Sequence, residues 1–229
     1  MRIGFAIFAL GLFASITQVL LLRELLVAYS GNELVIGLLY AAWFLLIGVG
    51  ALAARPLAAR CKDHAVRALV GAGMVILAIA LPCQLWGARI LRLWMDIMPG
   101  EAAGPGTVFA ASFIVVAPTC LLTGLMFPLA VHVAAHEKDR PLARLYVLET
   151  IGFAAGGLLF TFVFADHIHA FRIALGAALF ALGGAAILLR PGLIRGCAVT
   201  LLLLFAIMTL YPRVPDMLER RSIDARWRA

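Results

Sequence analysis

From Ile3 onward the chain is a succession of long, continuously apolar runs broken by short polar joints. At about 20 apolar residues per crossing, the runs predict seven transmembrane helices: Ile3–Ala28, Leu34–Ala54, Ala65–Leu85, Thr107–Val133, Tyr146–Ala165, Ala170–Leu189 and Leu193–Leu210. Strands of a membrane barrel would alternate apolar and polar positions, and these runs do not. The expected fold is all-α, a polytopic integral membrane helix bundle over residues 1–211 with a basic C-terminal tail or linker at 212–229.

The joints carry their own signals. Ser30 and Glu33 stand in the spacing of a capping box that opens the second helix, and Arg55-Pro56 is expected to end it. The stretch 86–106 is too mixed to span; its Trp86, Trp94, Arg89 and Arg92 predict an amphipathic segment in the interface, closed by a Gly104-Pro105-Gly106 turn. Pro118 and Pro128 are expected to kink the fourth span, with Thr119 and Thr123 placed to satisfy freed backbone groups. Bent helices border substrate sites in some transporters, although proline is also common as a packing kink. Gly152 and Gly156 form a GxxxG pair suited to close helix contact, within the chain or in a homo-oligomer.

Composition agrees with the pattern. Of 229 residues, 64% are hydrophobic and 14% charged, whereas a soluble domain is roughly 45–50% apolar and about 25% charged. The +7 net charge lies in the joints, where it sets topology and meets anionic headgroups rather than nucleic acid. With the N-terminus inside, inside joints carry ten Lys and Arg against four outside, but five more in the tail fall on the far side. The loop bias favours a cytoplasmic N-terminus, in a bacterial inner membrane. Met1-Arg2 and the first run mimic a signal peptide, but the run is long and lacks a clean small-x-small site, so it reads as an anchor. Cys61, Cys83, Cys120 and Cys197 are far apart and read as small buried hydrophobes.

Candidate chemistry centres on Gln18, Arg23, Glu24 and Glu149. A charge inside an apolar run costs about 2.5–3.5 kcal/mol on insertion scales, so such residues face protein or a cavity. Arg23 and Glu24 point about 100° apart on a helix and do not simply neutralise each other; each wants a partner from another helix or from water, and Arg23 with Glu149 is one such pairing. The set can hold helices in register, lie at the membrane surface, or receive a cationic amine or protons. His132 and His136 share a helix face, and His167 and His169 follow Asp166, but a whole span of roughly 30 Å separates the two clusters. His132 also lacks the Glu of an HExxH motif directly after it. No metal or cofactor site is expected, and no Walker A, Rossmann or GxSxG motif is present.

Thr17-Gln18-Val19, Leu22-Arg23-Glu24-Leu25 and Gly31-Asn32-Glu33 together resemble the opening of the multi-pass domain of membrane-bound spermidine synthase-like proteins. Pro118–Pro128 and Arg144–Gly157 extend the resemblance over most of residues 5–190. In that family the polyamine aminopropyltransferase-like fold, with its cofactor site and catalytic acid, follows the membrane domain. The chain stops at Arg226-Trp227-Arg228-Ala229, about where that fold would begin. The resemblance thus implies a membrane half that anchors, or feeds a polyamine-type cation to, an aminopropyltransferase-like domain or subunit, with no catalytic residue of its own. The alternative reading is a self-contained small-metabolite permease.

Overall fold

A computed structural model describes residues 2–29, 33–95, 104–135, 141–165, 167–211 and 213–227. Among these, eight helices occur and no strand: α1 Arg2–Ala28, α2 Leu34–Arg60, α3 Asp63–Trp94, α4 Pro105–Ala135, α5 Pro141–Leu159, α6 Ala170–Leu188, α7 Leu193–Leu210 and α8 Arg213–Trp227. A π-helical turn, Phe160–Phe164, extends α5. Seven helices are long and apolar enough to cross a membrane, as the run lengths predict; the chain is an all-α, multi-pass membrane bundle.

α1 lies at the centre. It packs on α5, α6 and α3, and its buried residues, among them Ile7, Phe13, Ile16, Leu20 and Leu21, run all round the helix rather than along one stripe. A helix apolar on every side belongs in a core. α7 is the opposite case: Leu203, Leu204, Ile207 and Leu210 are exposed on it, a face that suits hydrocarbon rather than water.

In lipid there is no hydrophobic gain from joining two apolar helices, so close backbone packing has to hold them. Glycine provides it at two seams. Gly11 of α1 lies against the Glu149 carbonyl of α5, while Gly152 and Gly156 lie against Phe8 and Leu12 of α1. Gly50 of α2 and Gly124 of α4 approach each other's helices in the same way, at Leu121 and Ile47. The GxxxG face of α5 is therefore filled by α1 of the same chain and is not open to a second copy.

Several boundaries differ from the sequence reading. Pro56 does not end α2, which continues to Arg60 and closes with a Cys61 N–H to Leu57 carbonyl bond. Pro56 removes one bond from the backbone ladder, and the helix resumes beyond it for one more turn. Glu33 stands at the α2 N-cap but makes no side-chain capping bond; Ser30 lies outside the described residues. α3 does not stop at Leu85: Trp86–Trp94 continues it, and Arg89 is buried instead of lying in the interface. The tail is not a bare linker over 213–227 but a helix packed on α3, α6 and α7. The cysteines are unpaired, and only Cys120 is buried, while Cys83 and Cys197 are exposed.

Pro118 lies inside α4 and its neighbourhood is closed by α3. Gln84 Nε2 donates to the Val115 carbonyl at 2.7 Å, and the Thr119 hydroxyl donates to Gln84 Oε1 at 2.7 Å. Thr119 thus reaches across to α3 rather than back along its own helix. Thr123 does bond locally, donating to the Thr119 carbonyl at 2.8 Å.

Candidate functional site

Counting crossings puts residues 24–29, 33–34, 89–95, 104–105, 164–165, 167–170, 210–211 and 213 at one end of the bundle, here the second face, and residues 60–63, 135, 141 and 188–193 at the first face. A buried charge cluster sits at the second face. Its centre is Arg89, only 4% exposed, five residues before the end of α3. On that side α3 already buries Leu81, Leu85 and Ala88, and helical phase carries Arg89 onto the same inward face. Five residues correspond to roughly 7.5 Å of helix, so the charge lies near the membrane surface and not at its midplane.

Four of the five guanidinium N–H groups have partners. Nε donates to Glu24 Oε2 at 2.9 Å and Nη2 to Glu24 Oε1 at 3.0 Å, a two-pronged grip on α1. Nη2 also donates to Glu219 Oε1 at 2.6 Å, and Nη1 to Ser222 Oγ at 2.6 Å, both on α8. The guanidinium carbon stands 5.3 Å from the centre of the Phe171 ring of α6, a cation–π contact. One cation thus joins four helices.

Two carboxylates on one guanidinium leave a formal charge of −1, and the N-terminus of α6 meets it. His169 at the α6 N-cap offers no side-chain capping bond. The Phe171 N–H instead donates to Glu219 Oε2 at 3.3 Å, so a carboxylate from α8 caps α6 and complements the positive end of its dipole. Ser222 completes the arrangement, donating to the Glu219 carbonyl at 2.8 Å while accepting from Arg89. A second tie between the same helices, Arg172 Nη2 to Asp216 Oδ1 at 3.0 Å, is partly exposed and contributes at most about 1 kcal/mol.

The four residues singled out from sequence do not converge. Glu24 is buried in the cluster; Arg23, one residue earlier, turns outward and donates to the Ala165 carbonyl at 3.1 Å, just beyond the π-helical turn. The anticipated Arg23 with Glu149 pairing is not formed. Glu149 packs beside Gly11, twelve residues along α1 from Arg23, or roughly 18 Å. Gln18 is half-buried, about two turns away from Glu24. Neither Gln18 nor Glu149 belongs to the cluster. Sequence reading missed Arg89, Glu219 and Ser222. The signals were there: Arg89 follows Leu81 and Leu85 at intervals of four, and Pro215, Glu219 and Ser222 share one face of α8.

A cavity of about 210 Å³ borders the cluster, lined by Arg23, Glu24, Arg89 and Glu219 together with His167 and His169. His132 is at the opposite face, 3.6 Å from Asp63 Oδ1, and His136 lies outside the described residues. Among the described residues no group of three His, Cys, Asp or Glu is placed to hold a metal ion. Both oxygens of Glu24 and both of Glu219 already accept a hydrogen bond. The cluster is built to fasten α8 across the ends of α1, α3 and α6. Compared with protein families, curated proteins and solved structures, the chain matches none.

Proposed function

We propose that the chain is a membrane scaffold of the spermidine synthase-like type, holding an aminopropyltransferase-like domain or subunit against its second face. The observation that carries this reading is the Arg89 clamp. A polar, arginine-rich helix, α8, is fixed over the bundle end by Glu219 and Ser222, so its outer face, with Arg213, Arg220 and Asp224, is presented in one orientation. The commitment of Glu24 to Arg89 favours anchoring over delivery of a polyamine, because a cationic amine would have to displace a two-pronged guanidinium. The loop charges favour the first face, and with it the N-terminus, in the cytoplasm of a bacterial inner membrane.

The rival permease reading draws on the prolines of α4. Gln84 and Thr119 close the neighbourhood of Pro118 with protein hydrogen bonds, which favours a packing kink over a substrate passage.

The test begins with solubilisation from native membranes, followed by intact-mass measurement and an aminopropyltransferase assay of whatever co-purifies. A longer chain with that activity, or a bound transferase-like subunit lost on Glu219→Ala substitution, supports the scaffold. A lone 229-residue species that moves amines or amino acids into liposomes overturns it.

A further inference from the structure

The first face carries a larger cavity, about 800 Å³, far from the Arg89 clamp. Its charged lining is one-sided. Among the described residues, Lys62, Arg67, Arg190 and Arg195 stand against the single carboxylate of Asp63, which is four cations less one anion, or +3 with histidine neutral. Among the described residues neither Arg190 nor Arg195 is matched by a carboxylate.

The N-terminus of α7 opens into the same space. Gly192 at its N-cap has no side chain to offer, the first turn holds no acidic residue, and the Gly196 N–H to Gly192 carbonyl bond is the first of the helix. The N–H groups of residues 193–195 therefore have no helical acceptor and add positive potential to that of the arginines.

Apart from His64, the remaining side chains of the lining are apolar. Ala68, Val133, Leu189 and Ile194 contribute to it, and Leu193 beside them is 85% exposed. The ends of α3, α6 and α7 that form the cavity lie where spans meet the headgroup layer. A cationic cavity with an apolar lining, at that depth and between transmembrane helices, suits an amphiphile with an anionic head. A free inorganic anion would leave the apolar part unused.

We propose that this cavity binds an anionic phospholipid, its phosphate held by Arg190, Arg195 and Lys62 and its acyl chains lying along Leu189, Leu193 and Ile194. The site is independent of the scaffold reading.

Thermal unfolding of the full chain in phosphatidylcholine nanodiscs, with and without added phosphatidylglycerol, tests it. The anionic lipid should raise the Tm by about 5 °C, and further phosphatidylcholine should not. Arg190→Gln with Arg195→Gln should remove most of the rise while keeping the phosphatidylcholine Tm; Arg213→Gln with Arg220→Gln, on the other face, should preserve it. Should the first double variant fail to fold, native mass spectrometry of the wild-type chain from its own membranes decides, with one retained anionic phospholipid expected per chain. No retained lipid, an undiminished rise in the Arg190 and Arg195 variant, or the same rise from inorganic phosphate alone would overturn the proposal, the last by making this a free-anion site.

Discussion

Arg89 of α3 grips Glu24 of α1 through two parallel hydrogen bonds, at 2.9 and 3.0 Å, with both side chains more than nine-tenths buried. Fork-to-carboxylate geometry is the strongest arrangement open to this pair. Burial makes breaking it costly, because the surviving charge has no water to return to.

Glu24→Gln should therefore destabilise the bundle by about 3 kcal/mol, read as a lowered unfolding midpoint in mixed micelles. Arg89→Lys should also destabilise, since a point-charge ammonium cannot serve Glu24, Glu219 and Ser222 together. A double-mutant cycle on Glu24 and Arg89 should return a coupling of about 2 kcal/mol; a coupling near zero would contradict the clamp.

Glu219→Ala should release α8 and leave the seven spans intact. It removes the bond to Arg89 and the cap on the Phe171 N–H together. Trypsin cleavage after Arg220 and Arg221 should then accelerate at least about tenfold, the equivalent of roughly 1.4 kcal/mol of easier local opening. Equal cleavage rates in variant and wild type would count against a fastened α8.

At the glycine seams, Gly152→Ala should destabilise by about 1–3 kcal/mol, because its new methyl meets the Phe8 carbonyl, a backbone atom that cannot swing away. Gly176→Ala is the control. A methyl there meets nothing within 4 Å, and helix propensity predicts a neutral change or a gain of up to about 1 kcal/mol. Thermal midpoints of the two variants should move in opposite directions or at least differ clearly.

Gln84→Leu should cost about 1–3 kcal/mol by leaving the Val115 carbonyl and the Thr119 hydroxyl without their partner. Adding Thr119→Val removes one of those orphans and should recover part of the loss. A double variant no better than the single one would show that the Val115 carbonyl carries the whole effect.

The residues by themselves determined the class of fold and the number of crossings. A lipid core demands long apolar helices with every backbone group bonded internally, and that demand is written locally, run by run. Helix ends were less legible: Pro56 looks like a stop, yet α2 runs on to Arg60, and Trp86–Trp94 looks like one until burial of Ala88, Arg89 and Leu91 against neighbouring helices carries α3 on. What only the tertiary structure decided is who meets whom. Glu24, Arg89 and Glu219 are separated by 65 and 130 residues in sequence, and no local rule says that α8 folds back over α3. An unpaired buried charge announces a need for a partner, and Glu24 announced it plainly. The choice of Arg89 over Arg23 was made by packing, which turned one cation into the bundle and left the other at its surface.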